Sequence, residues 1–259
     1  MSLKDLSAVT IDIIGDYQNN LGVSLTSDNV VMWAEQFDKD AEFVLTELNG
    51  ILSKTYISRI KAKRLLKSRL DSIMLRLKYR SMLDLIKTVH FFDLQPDYKS
   101  QKAILVLLDE VLMEEYGLVY GDYALYTKTN FIYFDDILAT GNTIREDLLE
   151  WLLEMDNEKP HFRRVIDGDY RLIVSCFCFH SHGFGLMKWA LMCNTDKGLD
   201  KKWIFMCDIE ITDHPMFNNQ NYNCIMPLSD NVSERAINYL NNLSADKQER
   251  RAFRPNNQP

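Results

Sequence analysis

The stretch from Phe131 to Thr143, FIYFDDILATGNT, limits the fold of this chain more than any other. Four apolar residues run into paired carboxylates, Asp135 and Asp136. After Ile137 and Leu138 the chain narrows to a loop of small and hydroxyl side chains, Ala139 to Thr143, and an amphipathic segment, Ile144 to Met155, follows at once. An apolar run of this length reads as a buried strand, and the segment after the loop reads as a helix. A helix N-terminus leaves backbone N–H groups unpaired and carries a partial positive charge. Small residues let an anion approach that backbone. Gly141 supplies the tight turn, Asn142 tolerates a left-handed conformation, and Thr140 and Thr143 offer hydroxyl donors. Two adjacent carboxylates at a strand end accept bonds from two neighbouring sugar hydroxyls. In open α/β sheets, ligands bind at these carboxyl ends. The whole unit suits a sugar that carries a phosphate.

The rest of the chain gives this unit its surroundings. Residues 1–87 read as a helical N-terminal extension. Leu3 to Tyr17 has helical spacing, Gly22 breaks the pattern, and Thr26, Ser27 and Asp28 offer N-caps for Val30 to Phe37. Asp38 to Leu52 places Phe43, Val44, Leu45, Leu48, Ile51 and Leu52 on a core face. A long helix or helix pair then runs from Ser58 to Lys87. From residue 88 to 259 strands alternate with helices, which favours a parallel sheet in an α/β domain. The expected strands are Val89 to Leu94, Tyr123 to Tyr126, Asn130 to Phe134, Tyr170 to Phe179 and Trp203 to Ile211. The expected helices are Gln101 to Tyr116, stopped by Gly117, the segment after Thr143, Leu186 to Cys193 and Ser233 to Leu243. Asp156 to Asp169 and Asp213 to Leu228 read as irregular, His180 to Gly185 as a turn, and Arg251 to Pro259 as a tail.

Charge and cysteine content narrow the function classes. The net charge of −7 argues against general nucleic-acid binding. It conceals a basic stretch, since Lys54 to Arg80 holds ten Lys and Arg against the single acid Asp71. That face, Arg59 to Arg80, reads either as an ordinary solvated helix surface or as a docking site for an acidic protein or nucleic acid. Its one aromatic, Tyr79, gives little support for stacking single strands. Cys176, Cys178, Cys193, Cys207 and Cys224 form an odd set without a C-x-x-C pair, as expected of buried reduced thiols in a cytoplasmic protein rather than of a zinc site. No apolar run is long enough to span a bilayer, and the first residues lack a signal-peptide pattern. His180 and His182 fall on one side of an extended chain. They read as loop histidines or as contacts to an acceptor or diphosphate, and Gly183 and Gly185 read as turn residues or as a close approach to ligand.

The segment Phe131 to Thr143 resembles the signature of type I phosphoribosyltransferases, which bind 5-phosphoribosyl-1-diphosphate (PRPP). From Asp135 onward it is most similar to the adenine-using members. Asn142 departs from the second glycine common there, and Ala139 stands where members using hypoxanthine or guanine often carry an Asp that can serve as a base. The resemblance implies a parallel-sheet phosphoribosyltransferase-like core in which Asp135 and Asp136 hold the ribose hydroxyls and Ala139, Thr140, Gly141, Asn142 and Thr143 cradle the 5′-phosphate. It also implies Mg²⁺ carried in with PRPP and a diphosphate site in a loop after an earlier strand. Lys99 and Ser100 have the order for that site, although a solvated lysine and a plain N-cap explain them equally well. The long helical start, Trp33 to Phe37 and the segment Gln95 to Gln101 are similar to phosphoribosyltransferase-like domains of bacterial conflict and anti-phage operons. Two roles follow from the resemblance. One is an enzyme that transfers ribose 5-phosphate to a base or other acceptor, including as a defence effector. The other is a non-catalytic PRPP or nucleotide sensor that signals to a partner.

Overall fold

The computed structural model describes residues 1–17 and 24–211. The expectations for Gly22, Asp213 to Leu228, Cys224, Ser233 to Leu243 and Arg251 to Pro259 lie outside them. The chain divides into two units, one containing Met1–Arg59 and the other formed by Ile60–Thr212.

In the first unit, α1 (Leu3–Ile14), α2 (Ser27–Glu35) and α3 (Ala41–Thr55) pack through Leu6, Val30, Ala34, Ala41 and Leu45. Ser2 and Thr26 each form a capping box that satisfies first-turn amides of α1 and α2. Asn49, buried on α3, accepts from Thr10 Oγ1 at 2.7 Å and donates to the carbonyl of Leu6 at 2.9 Å. Phe43 is 68% exposed, contrary to the expected core face. The buried stripe of α3 is Ala41, Leu45 and Asn49 in four-residue steps, and two residues along a helix is roughly 200° of rotation.

The second unit opens with the expected helix pair, α4 (Arg59–Arg76) and α5 (Met82–Thr88), separated at Lys78, whose φ of 62° is left-handed. Then come β1 (Val89–Phe91), α6 (Ser100–Tyr116), β2 (Asn130–Leu138) and α7 (Asn142–Leu153). A short hairpin, β3 (Met155–Asp156) and β4 (Lys159–Pro160), leads to α8 (His161–Asp167), β5 (Arg171–His180), α9 (Ser181–Asn194) and β6 (Ile204–Ile211). β1, β2, β5 and β6 form a four-stranded sheet in that order, and every pairing is parallel. The α/β class with N-terminal helices is therefore as expected. On one face of the sheet Phe131, Tyr133, Leu172, Val174 and Cys176 pack against Ile144, Leu148, Trp151 and Leu152 of α7, Val165 of α8, and Met187 and Leu191 of α9.

Several elements differ from the sequence expectation, each for a physical reason. β2 runs four residues beyond Phe134, so both carboxylates lie within the strand; pairing with β5 as far as Leu138–Phe179 carries it on. Tyr123 to Tyr126 is not a strand. A 3₁₀ turn over Tyr120–Tyr123 continues into a turn, and the Tyr120 hydroxyl accepts from the amide of Phe91 and donates to the carbonyl of Val89. That hydroxyl satisfies the edge of β1 where a further strand would otherwise pair. Asp156 to Asp169 holds the hairpin and α8, closed by Gly168 at φ 90°. His180 to Gly185 is no turn: β5 passes directly into α9, so His182 is helical and the shared face expected of an extended chain does not exist. The four described cysteines are free thiols; Cys176 is buried, but Cys193 is exposed on α9.

Candidate functional site

Strand order in the sheet follows chain order, so no reversal of strand order opens a crevice among the described strands. The opening has another cause. β1 is three residues long, and its last pair with β2 is Phe91–Ile132. Beyond Ile132, β2 has β5 on one side and, among the described residues, no strand on the other. Side chains from the β1–α6 connection fill part of this notch. Gln101, fully buried on the first turn of α6, donates to the carbonyl of Phe134 and accepts from the amides of Leu94 and Gln95. It does the work of the missing strand and pins the connection beside Asp135.

All the residues expected at the site line one cavity of about 180 Å³ in this notch: Lys99 and Ser100 at the start of α6, Asp135 and Asp136 from β2, and the loop Ala139 to Thr143. Gln95, Ile137, Leu138 and Ile144 also line it. Asp135 is only 6% exposed. Its carboxylate accepts from the amide of Asp136 at 3.0 Å, Gln95 Nε2 at 3.2 Å and Ser100 Oγ at 3.2 Å. Asp136, half-buried, accepts from Ser100 Oγ at 2.9 Å and from the amide of Ile137 at 2.7 Å. Neither forms an ion pair among the described residues. Burial, and then the neighbouring Asp136 charge, push the Asp135 carboxyl up to about 6, against the pull of its hydrogen-bond donors. Ser100 has a single hydroxyl proton to share between the two carboxylates, so the pair retains acceptor capacity for further donors.

The loop is shaped from beneath. Gly141 has φ 77°, and a Cβ there would lie 2.7 Å from Met187 Cβ and 2.9 Å from the carbonyl oxygen of Gly183. A Cβ on Gly183 would lie 1.8 Å from the carbonyl oxygen of Ala139. Gly183 thus permits backbone contact between α9 and the loop, not a close approach to ligand. Nothing stands within 4 Å of a Cβ on Gly185. Among the described residues Thr140, Gly141, Thr143 and Ile144 donate no amide hydrogen bond, and the amide of Asn142 makes only a 3.4 Å contact to Thr140 Oγ1. The N-terminus of α7, capped by Gly141 without a side-chain bond, therefore presents free donors. The N-terminus of α6, capped by Lys99 likewise without a side-chain bond, borders the same cavity. Two helix N-termini and the exposed Lys99 give it positive character beside a carboxylate pair, the polarity of a phosphorylated diol. His180 and His182 are not among the lining residues.

Sequence reasoning missed Gln95, Gln101, Tyr133 and Asp147. Gln95, 5% exposed, donates from Nε2 to the Tyr133 hydroxyl at 2.6 Å as well as to Asp135, and Tyr133 donates to Asp147 Oδ2 on α7 at 2.5 Å. The available signal was the segment Gln95 to Gln101, which entered only as a break at Pro96 and as part of the family resemblance, with no role for either glutamine.

The fold and the site define a phosphoribosyltransferase-type protein. The PRTase-CE family model matches residues 30–255, and the chain belongs to that family. No curated protein and no solved structure matches the chain.

Proposed function

We propose that this protein binds PRPP in the notch beside β2 and transfers its ribose 5-phosphate to a nitrogen of a base or other acceptor. The observation that carries the reading is the convergence of two carboxylates without counter-ions and two uncapped helix N-termini on one cavity. Free amides of Thr140 to Ile144 receive the 5′-phosphate. Asp135 and Asp136 accept from the ribose 2′- and 3′-hydroxyls, displacing the Ser100 hydroxyl. Lys99 and the first turn of α6 meet the diphosphate.

Transfer breaks the bond between the anomeric carbon and the diphosphate oxygen, and the electron pair leaves with diphosphate. Positive charge grows on the sugar, as in other glycosyl transfers, and the two carboxylates stabilise it. The acceptor nitrogen then bonds to the anomeric carbon and loses its proton to water. The donor set fits Mg²⁺ in the way that ion binds phosphorylated substrates, by one or two carboxylates together with ligand oxygens. Among the described residues no cluster of three or more His, Cys, Asp or Glu forms a cage of its own. When bound, Mg²⁺ supplies charge neutralisation of the leaving diphosphate.

Calorimetric titration with PRPP, AMP and ribose 5-phosphate, with and without Mg²⁺, tests binding. Asp136→Asn is expected to weaken PRPP at least tenfold with an unchanged circular dichroism spectrum. An unaltered dissociation constant at saturating Mg²⁺ rejects the assignment. A diphosphate-release assay with candidate bases separates transfer from sensing. The sensor reading draws support from Ala139, which leaves the loop without an acid at that position, and it expects tight binding without release. The transferase reading includes a role as an effector in defence against phage, which predicts that cells carrying Asp136→Asn lose protection given by the unaltered chain.

A further inference from the structure

The polar groups behind Asp135 are arranged in one direction only. Asp147, half-buried on α7, offers oxygen acceptors. The Tyr133 hydroxyl, fully buried, commits its only proton to Asp147 Oδ2. Having given that proton away, Tyr133 presents only lone pairs to Gln95. Gln95 must then turn its nitrogen, not its oxygen, toward Tyr133. One amide hydrogen goes to Tyr133, and the second reaches Asp135 Oδ2. The acceptor at the far end thus decides which face of a buried amide meets the site carboxylate, a choice that shape alone leaves open between the two near-identical ends of the amide.

We infer that Gln95, Tyr133 and Asp147 are positioning residues, a one-way donor chain that anchors on the phosphate-loop helix and keeps an N–H of Gln95 on Asp135. This inference rests on the proposed role of Asp135 for its functional meaning, but the chain itself is a property of the ligand-free protein. Without the anchor, the Gln95 amide is free to rotate and set its oxygen against Asp135, leaving two acceptors face to face in a buried site. Burial and Asp147 hold the Tyr133 phenol protonated, far above its usual range, so the donor stays in place across all ordinary pH. The other groups facing Asp135 are Asp136 on the same strand, Ser100 on α6, Cys176 on β5 and Lys99 at the cavity wall. Of these Ser100 donates to the same carboxylate, and the chain holds the Gln95 amide beside it.

The experiment follows the side-chain amide hydrogens of Gln95 in the full-length, ligand-free protein by nitrogen-correlated resonances and their exchange with water, with the pair assigned by its loss in Gln95→Leu. Tyr133→Phe removes the middle of the chain with little change of shape. Asp147→Asn, on a partly exposed helix surface, removes the anchor with little risk to folding and allows the donor order to reverse. Both are expected to speed exchange of the Gln95 amide hydrogens about tenfold and to weaken PRPP, since a released buried donor loses its fixed partner. Asp147→Glu, which keeps the acceptor, should restore both. Unchanged exchange in Asp147→Asn overturns the inference, as does an equal loss of affinity in Asp147→Asn and Asp147→Glu. If exchange speeds but the unaltered protein binds no PRPP, the donor chain stands and the proposed function fails.

Discussion

At the scale of single residues, Asp135 holds a charge where the fold resists it. Its carboxyl titrates near 6 in the folded chain and near 3.8 when unfolded. A raised folded value means that stability from the neutral form is complete below about pH 3.8 and is lost as pH rises through about 6. Above pH 7 the ionised group costs about 3 kcal/mol relative to the neutral one. Asp135→Asn should therefore stabilise the ligand-free protein by about 1–2 kcal/mol in urea unfolding at about pH 7.5, and the gain should vanish near pH 3.5. It should abolish PRPP binding at about pH 7.5. Equal destabilisation at the two pH values would contradict this account. The residue also marks a limit of the sequence. Paired acids followed by Ala-Thr-Gly-Asn-Thr were legible because local chemistry sets them. Gln95, Tyr133 and Asp147 were not, because their meeting depends on three separate elements converging and none has a local pattern.

At the scale of elements, the phosphate loop is supported by α9. Gly183 and Gly185 lie on the same helix two residues apart, yet only Gly183 has the loop's backbone against it. Gly183→Ala should push the loop away from α9, weaken ribose 5-phosphate binding at least tenfold and cost about 1–3 kcal/mol of stability through overpacking. Gly185→Ala should keep affinity and raise stability by up to about 1 kcal/mol, since alanine is the better helix former. Matched melting and titration experiments on the two variants check both arms. The sequence identified both glycines but placed them in a turn. Helix α9 forms there because β5 needs no turn: its last residue, His180, is already the N-cap.

At the scale of the molecule, the basic stretch is less available than its composition implies. Lys63 pairs with Glu110 and Glu114, Lys67 with Asp71, and Arg69 with Asp208 on β6. Arg69 is a structural contact, with a side chain only 11% exposed. Arg69→Glu should destabilise by roughly 3 kcal/mol in denaturant unfolding, as breaking a largely buried pair does. Arg64→Glu, at an exposed position, should change stability by no more than about 0.5 kcal/mol. Docking by this face to an acidic protein or nucleic acid remains a proposal. Arg64→Glu tests it cleanly, because a binding loss in Arg69→Glu would be confounded by unfolding. Sequence periodicity identified the helices here, since their apolar stripes are local. Lys67–Asp71 is a local i,i+4 pair, but the pairs of Lys63 with Glu110 and Glu114 and of Arg69 with Asp208 join distant parts of the chain and have no local pattern.

The brevity of β1 has a consequence for how such a protein can fail. Its cavity exists by subtraction. Three more residues of edge strand would zip along Asp135 with ordinary backbone pairing and leave a neater, better-ordered sheet with nowhere for a sugar to sit. A chain built this way can lose its chemistry by becoming more regular, with every contact residue still in place.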